Sequence, residues 1–79
     1  MADPIEQIVE TALLRAGLGF TKDGEGDTRG LDFHVTDFDI FIEVKQFHTD
    51  RVAEQMSRVE NVIVIQGRRA AEAFARILS

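Results

Sequence analysis

The chain has 79 residues, of which 44% are apolar and 29% are charged, and its net charge at pH 7 is −5. A chain this short buries only about 60% of its unfolded surface, which excludes a second domain core. The absence of cysteine excludes a disulfide framework and a thiolate zinc site. No apolar run approaches the roughly 18 residues of a membrane span. We therefore expect one globular domain over residues 1–79 and no membrane partner.

The charge is distributed unevenly along the chain. Residues 1–50 hold 11 acidic and 4 basic residues, whereas residues 51–79 hold 3 acidic and 5 basic residues. The acidic part indicates either a solvated surface or carboxylates gathered to hold a divalent cation. The first residues lack the basic start and apolar stretch of a signal peptide, so we expect a cytoplasmic location.

A first helix is predicted at residues 4–17. Asp3 suits the N-cap, Pro4 suits the first helical position, and Glu6 completes a capping box. Apolar residues then recur at helical spacing, and two glycines end the segment. These residues are Ile5, Ile8, Val9, Ala12, Leu13 and Ala16, followed by Gly17 and Gly19.

The next segments alternate polar and apolar residues and predict strands at residues 18–22, 28–35 and 38–45. Thr36-Asp37 is predicted as a two-residue hairpin connection. A second helix at residues 49–59 would turn Val52 and Met56 towards the sheet.

The last part of the chain predicts one more strand and one more helix. Val62–Ile65 is a continuous apolar run, typical of a strand buried on both faces. The order α-β-β-β-α-β-α predicts an α/β fold with a mixed sheet flanked by helices. The last helix, residues 68–78, is expected to turn five residues inward: Ala70, Ala71, Phe74, Ile77 and Leu78.

The hairpin register brings a set of charged residues to one face. A loop centred between Thr36 and Asp37 pairs Asp32 with Phe41, so Glu43 lies diagonal to Asp32, roughly 7–8 Å away. Lys45 is the next residue on that face. Cleavage of a phosphodiester needs a cation and a hydroxide, and two carboxylates with a main-chain carbonyl can hold Mg²⁺. The lysine ammonium can orient the water or stabilise charge on the phosphate.

The residues Leu31-Asp32-Phe33 and Ile42-Glu43-Val44-Lys45 resemble the Asp…Glu-x-Lys signature of the PD-(D/E)XK nuclease superfamily. That superfamily includes restriction enzymes, Holliday-junction resolvases and the small VRR-NUC nucleases. The resemblance implies a restriction-endonuclease-like core and a Mg²⁺- or Mn²⁺-dependent DNA endonuclease. Leu31 departs from the pattern, because the superfamily usually has proline there.

The resemblance also implies roles for individual residues. Asp32 and Glu43 would hold the metal together with the main-chain carbonyl of Val44, and Lys45 would be the catalytic lysine. Resolvase-like members carry an early helical glutamate followed by a glycine eleven residues later, which Glu6 and Gly17 fit. Several members have a glutamine lining the site from the next helix, and this role would fall to Gln55.

Basic residues in the second part of the chain are candidates for DNA contacts. Arg68 and Arg69 open the last helix, where main-chain donors and basic side chains suit phosphate. Arg51 and Arg58 are spaced along the helix predicted at residues 49–59. Tryptophan and tyrosine are absent, so binding through the DNA backbone is favoured over stacking on bases.

Simpler interpretations stay open for these residues. The trio of Asp32, Glu43 and Lys45 also fits a solvated strand face with a Glu–Lys pair, and His34 fits either a cross-strand contact with Asp39 or a catalytic role. The alternative function is a nuclease-fold module without catalysis that serves as a subunit or assembly protein. The small core, worth roughly 3–5 kcal/mol, predicts a homo-oligomer, most simply a two-fold dimer.

Overall fold

The computed structural model of the chain describes residues 3–45 and 60–79. Within them lie helix α1 (Pro4–Arg15), strands β1 (Phe20–Lys22), β2 (Phe33–Val35), β3 (Ile40–Lys45) and β4 (Val62–Gln66), and helix α2 (Arg68–Leu78). The helix predicted at residues 49–59 lies outside the described residues, and so do the residues assigned to it: Arg51, Val52, Gln55, Met56 and Arg58.

The four strands form one mixed sheet in the order β1-β2-β3-β4. Neighbours β1 and β2 are antiparallel, as are β2 and β3, whereas β3 and β4 are parallel. This arrangement confirms the predicted α/β class with a mixed sheet. Strand β3 has a strand on each side, and it carries both Glu43 and Lys45.

Helix α1 begins and ends for local reasons. The side chain of Asp3 accepts a hydrogen bond of 2.8 Å from the N–H of Ile5, which satisfies one free donor of the first turn. The helix ends two residues before the predicted limit, at Arg15, and the positive φ of Gly17 (72°) then turns the chain away. Its buried residues are Ile5, Val9, Ala12 and Leu13.

The hydrophobic core lies between the two helices and one face of the sheet. Ile42 in the central strand is 1% exposed, so truncating it to alanine would cost about 2–5 kcal/mol. The buried members of this core are Ile5, Val9, Leu13, Phe33, Val35, Ile42, Val44, Ile65 and Ala71, with Ile8, Phe74 and Leu78 packed against them.

The predicted hairpin register was wrong by two residues. Val35 pairs with Ile40, so the turn spans the four residues 36–39 and not Thr36-Asp37 alone. In the paired strands His34 lies opposite Phe41, where Asp39 was expected. Because a four-residue turn preserves the alternation of a two-residue turn, every side chain keeps its predicted face.

Two expectations of burial near the end of the chain were also wrong. Ile63 in β4 is 41% exposed, because β4 is an edge strand of the described sheet. In α2, Ala71 is buried and Phe74 and Leu78 are half-buried, a stripe with helical spacing. The predicted inward residues Ala70 and Ile77 fall beside this stripe and are exposed.

Within the described residues, neither helix has the length and apolarity needed to cross a lipid bilayer.

Candidate active site

Asp32 immediately precedes β2, and its side chain continues the hydrogen bonding of the sheet. Its Oδ2 accepts a hydrogen bond of 2.7 Å from the N–H of Val44 in β3. Its own N–H donates to the carbonyl oxygen of Ile42 at 3.1 Å. Two hydrogen bonds to the central strand therefore fix the carboxyl group beside β3. Since the N–H and C=O of one residue in a strand point the same way, the Val44 carbonyl is directed to this side of β3.

Glu43 is buried in the middle of the sheet. It is only 2% exposed, although it carries an ionisable group. Its carboxyl is hydrogen-bonded to that of Asp32. The Nζ of Lys45 lies 3.8 Å from the Oε1 of Glu43, and the Lys45 side chain is 39% exposed. The predicted trio is therefore brought together, with Glu43 in contact with both other members.

Helix α1 adds a third carboxyl group to the cluster. Glu6, in the first turn, is hydrogen-bonded through its side chain to Asp32. We define Glu6, Asp32 and Glu43 as the carboxyl cluster. The sequence predicted its members, but the contact between Glu6 and Asp32 depends on how α1 packs on the sheet.

The three carboxyl groups of the cluster differ in pKa, and therefore in the charge they carry at one pH. Burial, reinforced by the hydrogen bond and the negative charge of Asp32, raises the pKa of Glu43 to about 8. The hydrogen bond with Asp32, with a further contribution from burial, raises the pKa of Glu6 to about 7. Burial opposes ionisation of Asp32, but the hydrogen bonds from Glu43, Glu6 and the Val44 N–H together lower its pKa. Near neutral pH Asp32 thus carries a negative charge, Glu43 favours its protonated, donating form, and Glu6 is divided between its two forms.

A polar cavity of about 300 Å³ opens beside the carboxyl cluster. Glu6 and Asp32 line it, so two of the three carboxyls of the cluster are reached from this side. Glu10 also lines the cavity, but its carboxylate forms an ion pair of 3.0 Å with Lys22. Sequence reasoning missed Lys22 and Asp23 as cavity residues, because Lys22 ends and Asp23 follows a three-residue strand whose pairing carried no local signal. The full lining is Glu6, Gln7, Glu10, Lys22, Asp23, Asp32 and Phe33.

The closeness of the three carboxyl groups does not by itself make a metal-binding site. Among residues 3–45 and 60–79, no three acidic, histidine or cysteine side chains are arranged to hold a metal ion. In the carboxyl cluster, Asp32 is hydrogen-bonded through its side chain to both Glu6 and Glu43. Coordination by Asp32, Glu43, Glu6 and the Val44 carbonyl therefore requires loss of the shared protons.

Two further candidates, His34 and Arg68, form side-chain contacts with acidic residues outside the carboxyl cluster. The Nε2 of His34 is 2.9 Å from the Oδ1 of Asp39, but Asp39 lies in the turn and not opposite His34, so this contact is not the cross-strand pair that was expected. The Nε of Arg68 donates to the Oε1 of Glu72 at 2.9 Å, one helical turn on. Arg69 is exposed. Gln55, Arg51 and Arg58 fall outside the described residues.

Comparisons of the chain with protein-family models, curated proteins and solved structures find no match. The resemblance to PD-(D/E)XK nucleases thus stays a prediction that rests on the sequence signature.

Proposed function

We propose that the protein is a metal-dependent DNA endonuclease with a restriction-endonuclease-like fold. The observation that carries the proposal is the convergence of Glu6, Asp32 and Glu43 beside Lys45. A buried ionisable group in a central strand is costly unless it is neutralised or paired. Glu43 is such a group, and the half-buried carboxyls of Glu6 and Asp32 join it. This set, with the Lys45 ammonium 3.8 Å from Glu43, suits a cation and a phosphodiester better than it suits a packed core.

The donor set of the site suits Mg²⁺ or Mn²⁺. Carboxylate and main-chain carbonyl oxygens are the hard ligands that these cations prefer, and the described residues offer no thiolate. Asp32 and Glu43 would hold the cation, with Glu6 and the Val44 carbonyl as further ligands. When bound, such a cation supplies hydroxide near neutral pH and neutralises charge on the reacting phosphate.

The residues of the chain itself would then orient the reaction. Val44 holds the Asp32 carboxylate in place through its N–H, so this ligand needs no reorganisation. The Lys45 ammonium is partly exposed at the end of β3, where it can contact a phosphate oxygen or the attacking water. The N–H of Gly67 donates to the Lys45 carbonyl at 2.7 Å, which fixes the main chain that carries this lysine.

The substrate in this proposal is DNA held through its backbone. Arg68 and Arg69 begin α2 directly after β4, and Lys45 and Gln66 are paired at the adjoining end of the sheet. Binding there would require Arg68 to exchange its exposed pair with Glu72 for a phosphate, and such pairs are worth only about 0–1 kcal/mol. A two-fold dimer would place two sites on one duplex, as cleavage of both strands, or of a branched structure, requires.

A nuclease-fold module without catalysis is the second candidate function. Its supporting observation is that the carboxyl cluster satisfies itself by internal hydrogen bonds, without a metal arrangement among the described residues. A closed network of this kind can stabilise a subunit that only binds partners.

The test is cleavage of supercoiled plasmid and of a branched oligonucleotide by the purified protein, with Mg²⁺, Mn²⁺ or EDTA. We expect cleavage with either cation, and none with EDTA, with Glu43→Gln or with Lys45→Ala. Glu60→Gln is the matched control, because it makes the same chemical change at an exposed position before β4, whereas Glu72 pairs with Arg68, a proposed DNA contact. A folded wild-type protein that cuts neither substrate with either cation would refute the nuclease and favour the module.

A further inference from the structure

Arg29 stands out because its main chain adopts a conformation that arginine rarely takes. Its φ is 56°, in the left-handed region, and Gly30 follows with a φ of 80°. A residue other than glycine in this region costs roughly 1–3 kcal/mol and persists only where its surroundings impose it. Here the N–H of Arg29 donates to the Oδ1 of Asp27 at 3.0 Å, and the N–H of Leu31 donates to the carbonyl of Thr28.

The strained turn presents the guanidinium to an aromatic ring next to the carboxyl cluster. The Cζ of Arg29 lies 5.9 Å from the centre of the Phe41 ring, within the range of a cation–π contact. The same ring stacks on His34 at 4.2 Å with an angle of 7° between the planes. A buried aromatic residue thus supports the cation, while the Arg29 side chain stays 60% exposed.

The acidic neighbour of Arg29 leaves this cation available. Asp27 Oδ2 lies 4.0 Å from the Nε of Arg29, and both side chains are mostly exposed. An exposed pair at this distance contributes little, so a phosphate can replace it. The contact with Phe41 holds the guanidinium over the ring at 5.9 Å. A planar guanidinium can give two parallel hydrogen bonds to a phosphate.

The position of Phe41 relates Arg29 to the proposed site. Phe41, Glu43 and Lys45 are alternate residues of β3, so they lie on one face of the sheet. Successive residues on that face are about 6.8 Å apart. A strand of duplex DNA carries one phosphate per about 3.4 Å of axis, and its phosphates also wind around that axis, so this spacing corresponds to about one or two nucleotides.

We propose that Arg29, supported by Phe41, binds a backbone phosphate of the DNA strand one or two nucleotides from the reacting phosphate. This inference rests on the proposed function for the identity of the ligand. It names a phosphate contact at the carboxyl cluster, on the opposite side of Glu43 from Lys45. Sequence patterning does not indicate this contact, because Arg29 belongs to a loop and meets Phe41 only in the folded chain.

The test is DNA binding in EDTA, measured by fluorescence anisotropy of a labelled duplex between 50 and 200 mM salt. Arg29→Ala should weaken binding about tenfold and reduce the salt dependence by about one phosphate contact, a change in slope of about 0.9. Arg76→Ala removes the same charge from an exposed position in the last turn of α2 and serves as the matched control. It should change the dissociation constant less than twofold.

The outcomes separate this inference from the proposed function. If Arg29→Ala and Arg76→Ala bind DNA alike, the Arg29 contact is refuted, whether or not the wild type cleaves DNA. If Arg29 carries the salt dependence but the wild type never cleaves, the contact stands and the nuclease fails. A wild-type protein that does not bind DNA refutes both. Arg29→Lys should recover the salt slope but bind less tightly than wild type, and equal affinity would refute the need for a planar guanidinium.

Discussion

Replacing Glu43 with glutamine should stabilise the metal-free protein at alkaline pH. Burial raises the pKa of Glu43 from 4.5 to about 8, whereas the unfolded chain keeps the ordinary value. The folded state therefore holds a proton that the unfolded state releases, and stability is full below about pH 4.5 and falls as pH rises towards 8. Each pH unit in this window costs about 1.4 kcal/mol for a group that stays fully protonated in the folded state.

The expected loss of wild-type stability at alkaline pH is large for a domain of this size. The full window of 3.5 pH units amounts to at most about 5 kcal/mol, and exchange of protons with Asp32 and Glu6 makes the loss smaller. Glutamine keeps the shape of protonated glutamate and can still donate to Asp32. At pH 8.5 in EDTA, Glu43→Gln should therefore melt about 10–20 °C above wild type.

The assay is thermal unfolding followed by circular dichroism at pH 5.0 and 8.5, both in EDTA. At pH 5.0 the two proteins should melt within a few degrees of each other, because glutamate is then mostly protonated in the folded state. Glu72→Gln, at an exposed position of α2, should follow wild type at both pH values. The reasoning is refuted if wild type melts at the same temperature at both pH values, or if Glu43→Gln is the less stable protein at pH 8.5.

Three further predictions concern metal, catalysis and assembly. Mg²⁺ at one hundred times its dissociation constant should stabilise wild type by about 2.7 kcal/mol, and Asp32→Asn should lose this response in the same melting assay. Lys45→Ala should keep the metal-induced rise in melting temperature but lose plasmid cleavage, because the ammonium acts on substrate; loss of both would contradict this role. Light scattering at micromolar concentration should give about twice the monomer mass of 8.9 kDa, and the monomer value would refute the dimer.

The faces of the hairpin were predictable from the sequence, but its register was not. Alternation of apolar and charged residues placed Asp32, Glu43 and Lys45 on one side, and this depends only on the parity of the turn. The turn itself is two residues longer than predicted, and Asp39 in it has a φ of 54°. Aspartate tolerates this conformation, but a single aspartate is a weaker signal than Asn-Gly.

Contacts between segments that are distant in sequence explain the features of the fold and of the site that the sequence did not predict. The capping pattern around Asp3 predicted where α1 begins, but the Glu6–Asp32 contact depends on the packing of α1 against the sheet. Edge position explains why Ile63, within a fully apolar run, is 41% exposed. Burial in a central strand explains the raised pKa of Glu43, which composition and spacing do not report.

Burial of Glu43 also provides a way to separate the two candidate functions. In a module without catalysis, the carboxyl has no task in its ionised form, so Glu43→Gln should leave partner binding intact while stabilising the alkaline, metal-free protein. In a nuclease, the same variant should be stabilised without metal, lose the response to Mg²⁺ and lose cleavage. The unfavourable ionisation of Glu43 is then offset only when a cation replaces the proton. Stabilisation together with loss of both cation response and cleavage would therefore assign the buried carboxyl to metal binding and to the reaction.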